Sequence, residues 1–203
     1  MTTLYFVRHA QPDYSKGGDN SSFGLSEEGM ADRMEAAKAL EGIRFDAAVS
    51  SPYRRSILTI EPILERQGLT LETDPRLRER DNPGLGSNSH EMFRRRWADF
   101  EFHEEGGESI GSTQQRNIAA LWDILRRHSG QTVLVGTHGT ALSTIINYFD
   151  NSFGCEQFLR IIDYMPYIIR LTFDGRKLID RKELFYIKKE FHGVGMKTEG
   201  EIH

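Results

Sequence analysis

A single cysteine, Cys155, in 203 residues excludes an intramolecular disulfide and any metal site built from several thiolates. No apolar run approaches the ~20 residues that span a bilayer, so no membrane partner is expected. Excess basic charge is missing as well: 26 Lys and Arg stand against 30 Asp and Glu, a formal net charge of −4. Such a chain lacks the basic stripe that counterion release on DNA or RNA requires, which argues against a nucleic-acid partner. Met1 to Val7 carry no basic stretch and meet Arg8 too soon for a secretory leader, and a cytoplasmic protein is the expectation. Repeats, low-complexity tracts and linkers are lacking, and the length fits one domain over 1–203.

What is present is an alternation of short apolar runs with amphipathic stretches. Leu4-Tyr5-Phe6-Val7 reads as a strand buried on both faces. Ser26 has the character of a helix N-cap, with Glu27 and Glu28 in the first turn and Met30, Met34, Ala37 and Leu40 as the inward face. Phe45 to Ser50 is a second strand. A helix beginning near Pro52 follows, with Ile57, Ile60, Ile63 and Leu64 as its stripe and a kink expected at Pro62. Leu69 to Thr73 is a third strand, and residues 80–108 read as irregular. Ile118, Leu121, Trp122 and Leu125 keep helical spacing, Gln131 to Thr137 is a buried strand, and another helix starts near Thr140. Tyr167 to Phe173 and Arg176 to Asp180 flank the hairpin signal Asp174-Gly175, and the chain from about Lys188 onward reads as loose. Strands joined through helices imply an α/β fold, a three-layer α/β/α sandwich around a mostly parallel sheet. Ligands of such sheets bind beyond the carboxyl ends of the strands.

Three strands end in reactive side chains: Arg8-His9, Ser50-Ser51-Pro52-Tyr53-Arg54-Arg55 and Thr137-His138-Gly139. Alone, a strand-end histidine is more often a cap or a surface residue. Together, converging, these residues make a cationic cluster that an anion must neutralise, and arginine forks match phosphate oxygens.

These residues carry a family resemblance. Leu4 to Ala10, Leu25-Ser26-Glu27-Glu28-Gly29, Ser50 to Arg55, Leu77-Arg78-Glu79 and Val135 to Gly139 together resemble the histidine phosphatase superfamily, the phosphoglycerate mutase-like family, in order and spacing. The resemblance implies a phosphoglycerate mutase-like fold and a catalytic set of His9, Glu79 and His138. His9 would be the nucleophile that becomes a phosphohistidine, and Glu79 the proton donor that later activates water. Arg8 and Arg55 would grip the phosphoryl oxygens, with His138 completing the pocket. The loop after His9 departs from the family pattern, and Ser15, Gln11 and Gly139 are the further candidates for bonds to phosphate. Preorganised cations can replace a divalent ion in phosphoryl transfer, so neither metal nor cofactor is expected.

The function so implied is a metal-independent phosphomonoesterase acting on a small-molecule phosphate ester. The alternative is a phosphoglycerate mutase, which returns the phosphoryl group to its substrate, and a third reading is a non-catalytic phospho-ligand-binding domain. The resemblance gives mutases longer chains that close against water, which favours hydrolysis at this length. Residues 80–113 are the expected lid. Its Phe93, Trp97, Phe100 and Phe102 either pack that lid onto the core or stack on the substrate. Arg94-Arg95-Arg96 either form a solvated face or meet a second anionic group. Ser109 is a helix N-cap or part of the family-like Gly107-Glu108-Ser109. His90, His103 and His128 read as surface residues. Phe185, Tyr186 and Ile187 could pack internally or across a homodimer, towards which the reading leans.

Overall fold

A computed structural model describes residues 1–15, 19–82 and 88–189. In chain order the elements are β1 (Thr2–Arg8), α1 (Glu27–Ala39), β2 (Ala47–Ser50), α2 (Arg54–Gln67), β3 (Leu71–Thr73), α3 (His90–Ala98) and α4 (Ile110–Arg127). They continue with β4 (Thr132–Thr137), α5 (Gly139–Phe149), α6 (Cys155–Ile161), β5 (Tyr164–Asp174) and β6 (Lys177–Lys188). The sheet order is β3-β2-β4-β1-β5-β6. Its first four strands are parallel, β5 is antiparallel to β1, and β6 is antiparallel to β5.

Side chains alternate across each strand, so neighbouring residues feed different layers. Leu4 and Phe6 join Val133 and Val135 in the core beneath α4 and α5, built with Leu121, Ile124 and Leu142. Tyr5, Val7, Ala48 and Leu134 face the other way, against Ala36, Ala37 and Leu40 at the end of α1 and Ile60 and Ile63 of α2. The expected three layers are the result.

Ser26 caps α1, its Oγ accepting from Gly29 N–H at 3.0 Å. The inward face of α1 differs from the expected one. Gly29, Ala36, Ala37 and Leu40 are buried, whereas Met30 and Met34 are 38% and 53% exposed. Small side chains let α1 approach its neighbours closely, and the larger methionines are left on the open side. Pro62 sits inside α2, which continues through it. The Leu58 carbonyl, which Pro62 has no N–H to satisfy, accepts instead from Arg33 Nη1 at 2.9 Å, and Arg33 also pairs with Glu61 at 2.8 Å.

Several boundaries move. Helix α2 begins at Arg54 rather than near Pro52, β2 at Ala47 rather than Phe45, and β3 at Leu71 rather than Leu69. The hairpin turn is Gly175-Arg176, with Gly175 at φ +56°, one residue beyond the expected pair. Residues 90–98 form a helix inside the stretch expected to be irregular, and α6 has no counterpart in the sequence pattern. Phe185 packs internally against the α1–α2 side of the sheet, and Tyr186 stacks on Tyr164 with ring centroids 4.0 Å apart. Residues 83–87 of the stretch expected to be irregular, and the chain beyond Lys189, expected to be loose, lie outside the described residues.

The first turn of α1 also fixes the loop that follows β1. Gln11 C=O accepts from Ser26 N–H at 3.0 Å, and Asp13 N–H donates to Gly24 C=O at 3.0 Å. A Cβ on Gly29 would overlap the Gln11 carbonyl. Gly29→Ala is therefore expected to lower unfolding free energy by about 1–3 kcal/mol in urea titrations. An unchanged midpoint would contradict this packing.

Candidate active site

β2, β4 and β1 are adjacent, so their carboxyl ends converge. Arg8 pairs in register with Thr137, and Ser50 with Gly136, which sets His9, His138 and Ser51 side by side. His9 and His138 are both buried, with ring centroids 5.2 Å apart. His9 Nδ1 lies 2.8 Å from the Ala10 carbonyl oxygen. A carbonyl only accepts, so Nδ1 carries the proton and Nε2 keeps its lone pair. Burial holds the His9 imidazolium well below its ordinary range, and the guanidiniums of Arg55 and Arg8 push the same way against the Ala10 bond. Neutral His9, with a free Nε2, has the protonation state of a nucleophile.

Arg8 and Arg55 are 4% and 2% exposed. Arg8 Nη1 donates to Ile161 C=O and Arg55 Nη1 to Asn20 C=O, each at 2.6 Å, while both Nε atoms are buried without a hydrogen-bond partner among the described residues. Burial pushes the Arg8 guanidinium down to about 10, partly offset by Glu79, and burial also lowers Arg55. Both remain charged at neutral pH. Gly139 has a steric role beside its place on the cavity wall: a Cβ there would sit 3.1 Å from Arg8 Cζ.

Glu79 follows the short 3-10 turn Pro75–Leu77 that succeeds β3. Its Oε1 accepts from the N–H groups of Arg80 at 2.8 Å and Ala141 at 3.1 Å, and its Oε2 from Thr140 at 3.0 Å. The carboxylate thus caps the N-terminal turn of α5, where negative charge is favoured. Arg116 of α4 holds the chain on either side. It grips Glu108 through Nε and Nη2 at 2.7 and 2.8 Å, and donates to the carbonyls of Arg76, Arg78 and Glu79 at 2.7, 2.7 and 3.0 Å. Burial alone would raise the Glu108 carboxyl, but its bonds to Arg116 hold it below the ordinary range.

One cavity of about 100 Å³ is lined by Arg8, His9, Arg55, Glu79 and Gly139, together with Tyr14, a second polar group of Arg80, Asn82, Asn88 and Arg96, and apolar side chains that include Phe93, Trp97 and Phe158. His138 stands behind His9 rather than on that wall, its Nε2 2.7 Å from Ser51 Oγ and its Nδ1 buried without a partner among the described residues. Burial, and then the charge of Arg55, keep its imidazolium well below the ordinary range.

Two candidates are not brought in. Ser15 is exposed, and its Oγ and N–H both donate to Asp13 Oδ1, at 2.5 and 2.9 Å, in a local turn. Gln11 is turned to the start of α1, its Oε1 accepting from Ser26 Oγ at 2.8 Å. Neither lines the cavity, because each side chain is engaged by a nearer partner. Tyr14 and Asn20 are the described residues between Gln11 and α1 that do line it, and burial holds the Tyr14 phenol protonated and therefore able to donate. The sequence offers no signal for Tyr14 beyond its place next to Ser15.

In the segment expected as a lid, Phe93 and Trp97 are buried and line the cavity. Phe100 packs edge-on against Trp97 with ring centroids 5.9 Å apart, whereas Phe102 lies under Arg95, 4.0 Å from its Cζ. The arginine run divides: Arg94 and Arg95 are exposed, and Arg96 is buried against Glu104 and Asn88. Ser109 is the N-cap of α4, its Oγ accepting from Ser112 N–H. His90 and His103 are exposed, while His128 is half-buried with Nδ1 2.8 Å from Gln131 Oε1. Among the described residues no three His, Cys, Asp or Glu side chains gather as a metal site requires, and no helix is long and apolar enough to cross a membrane.

Residues 4–178 match the model of the histidine phosphatase superfamily, branch 1. The 2,3-bisphosphoglycerate-dependent phosphoglycerate mutase of Brucella ovis is 31% identical over 194 residues, covering 85% of this chain and 94% of that one. The protein of the same name from Parvibaculum lavamentivorans is 29% identical over 210 aligned positions, covering 93% and 98%. Among solved structures, Bacillus stearothermophilus YhfR superposes with a TM-score of 0.73 at 25% identity, covering 88% and 95%. A phosphoserine phosphatase from Entamoeba histolytica, in complex with 3-phosphoglyceric acid, gives 0.71 at 18% identity, covering 94% and 98%, a likeness of fold. Nearly complete coverage of relatives named mutases removes chain length as an argument against that activity.

The two buried neutral imidazoles make stability depend on pH. An unfolded histidine takes up a proton near its ordinary 6.5, which His9 and His138 resist in the fold. Below that pH the unfolded chain binds more protons, so stability falls there and is fully present above it. The two groups together contribute a slope of up to about 3 kcal/mol per pH unit. Urea unfolding in phosphate-free buffer between about pH 5 and pH 7.5 measures it, and the His138→Gln variant should show a shallower slope. A flat profile would contradict neutral burial.

Proposed function

The chain belongs to the histidine phosphatase superfamily, and from that premise we propose that it is a phosphomonoesterase working through a phosphohistidine on His9. The observation that carries this reading is the 2.8 Å contact of His9 Nδ1 with Ala10 C=O, which leaves Nε2 as the unprotonated nitrogen of a ring that lines one cavity with Arg8 and Arg55. In the first step Nε2 attacks phosphorus and the bond from phosphorus to the ester oxygen breaks. Glu79 enters this step protonated, gives its proton to that departing oxygen and is left as the carboxylate that accepts from the first turn of α5. Its Oε2 accepts one backbone bond against two on Oε1 and is the less engaged of the two oxygens. In the second step a water oxygen attacks phosphorus, Glu79 takes the water proton, the nitrogen–phosphorus bond breaks and inorganic phosphate leaves. Arg8 and Arg55 balance the charge that spreads over the equatorial oxygens in both steps, the task a divalent ion performs elsewhere. Tyr14 supplies a neutral donor at the same end, and His138 supports His9 from behind.

Phosphoglycerate mutase activity is the second reading, favoured by the names of relatives at about 30% identity. The cavity is lined by Arg80, Arg96, Asn82 and Asn88 as well as by Phe93, Trp97 and Phe158, a mixed wall that the organic part of either substrate can meet.

Phosphate release from p-nitrophenyl phosphate should persist in excess EDTA and fall roughly 1,000-fold or more in His9→Ala. Release that EDTA abolishes, or that survives the substitution, would overturn the proposal. Conversion of 3-phosphoglycerate to 2-phosphoglycerate faster than any phosphate release would favour the mutase.

A further inference from the structure

The two buried imidazoles differ in what meets their Nε2 atoms. On His9, Nδ1 is taken by the Ala10 carbonyl, and Nε2 has no hydrogen-bond partner among the described residues. On His138 the pattern is reversed. Its Nε2 lies 2.7 Å from Ser51 Oγ, and its Nδ1 is the buried atom left without a partner among the described residues.

Ser51 is 0% exposed, so bulk water does not complete its hydrogen bonds. Its hydroxyl oxygen accepts from Tyr53 N–H at 3.2 Å, and among the described residues His138 Nε2 is the one acceptor in reach of its proton. Two proton arrangements are open, and counting partners separates them. With the ring proton on Nε2, the Ser51 hydroxyl proton and the Nδ1 lone pair are both buried and unpaired. With the Ser51 proton given to Nε2, only the Nδ1 N–H is unpaired. Unpaired buried groups are costly, so the second arrangement is favoured. Burial and the charge of Arg55 hold the ring neutral, as this arrangement requires.

The surroundings are built to hold that contact. Ser51 N–H donates to Gly136 C=O at 3.0 Å, and Ser50 Oγ donates to Ser51 C=O at 2.9 Å. A Cβ on Gly136 would overlap Ser50 Oγ, so β4 passes these hydroxyls only as glycine. The rings of His9 and Tyr53 stand edge-on to His138, each with its centroid 5.2 Å away, and limit its rotation.

We infer that Ser51 is a positioning residue that gives the two histidines different work. By filling the Nε2 lone pair of His138 it withholds that ring as a nucleophile and fixes its proton on Nδ1. The Nδ1 N–H is then a donor kept for the phosphoryl group, whose oxygens, once carried on His9, are acceptors that the resting site lacks. This donor role rests on the reading of His9 as the phosphoryl acceptor, whereas the tautomer does not.

Side-chain nitrogen NMR on the intact labelled protein reads the tautomer, with His138 signals assigned by their absence from His138→Gln. Wild-type His138 should be protonated on Nδ1 and bare on Nε2, and inorganic phosphate should shift that Nδ1 proton together with the His9 signals. Ser51→Ala should move the His138 proton to Nε2 and lower kcat for p-nitrophenyl phosphate roughly 10- to 100-fold, with a smaller effect on KM. Ser51→Thr, which keeps the hydroxyl, should retain the Nδ1 pattern and most of the turnover. Wild-type His138 protonated on Nε2, a tautomer unmoved by Ser51→Ala, or a phosphate shift confined to His9 would overturn the role of Ser51 while the phosphohistidine reading stood. Phosphate that shifts neither ring would overturn both.

Discussion

Two guanidiniums buried side by side, Arg8 and Arg55, are the constraint on which the site depends. Each is nearly sealed from water, each commits one nitrogen to a main-chain carbonyl, and each keeps an Nε without a partner among the described residues. Of the described side chains that line the cavity with them, Glu79 alone is a carboxylic acid, and Arg80 and Arg96 are further cations. Such an arrangement favours a bound dianion, and burial, with the guanidinium charges adding to it, holds both nearby histidines neutral. The parallel strands supply the means. β1 ends in Arg8, β4 delivers His138 beside it, and the start of α2 brings in Arg55.

Around that centre many hydrogen bonds serve position alone. Glu79 has no regular element of its own, yet three backbone donors and the grip of Arg116 on its chain fix it at the mouth of the site. The loop after His9 is equally tied, by Ser26 and Gly24 to its main chain. Gly139 is small because Arg8 passes over it, and Gly29 because Gln11 does. These are packing demands on single residues, and they explain why short sequence signatures can mark a site assembled from distant parts of the chain.

What is legible in the sequence follows the same logic. Strand ends with reactive side chains can be read because a buried strand has a plain apolar run and a definite end. Ser26 can be read as a cap because capping chemistry is local. The phase of α1 is misread because methionines outweigh alanines on any hydrophobicity scale, whereas close packing selects the alanines. Helix α3 is hidden by Arg94-Arg95-Arg96, which look solvated until Glu104, from beyond the helix, buries the last of them. Helix α6 is only seven residues long and gives too little periodicity. Ser15 and Tyr14 are adjacent, and in an irregular loop no period tells which one faces the cavity.

The central claim is that His9 itself carries the phosphoryl group. Rapid acid-free quenching of the enzyme with radiolabelled substrate, followed by peptide mapping, tests it most directly. The account predicts a label on His9 that is stable to alkali, is lost in acid, and forms and decays within a turnover. Turnover with no label on His9, or with label on another residue, would contradict it.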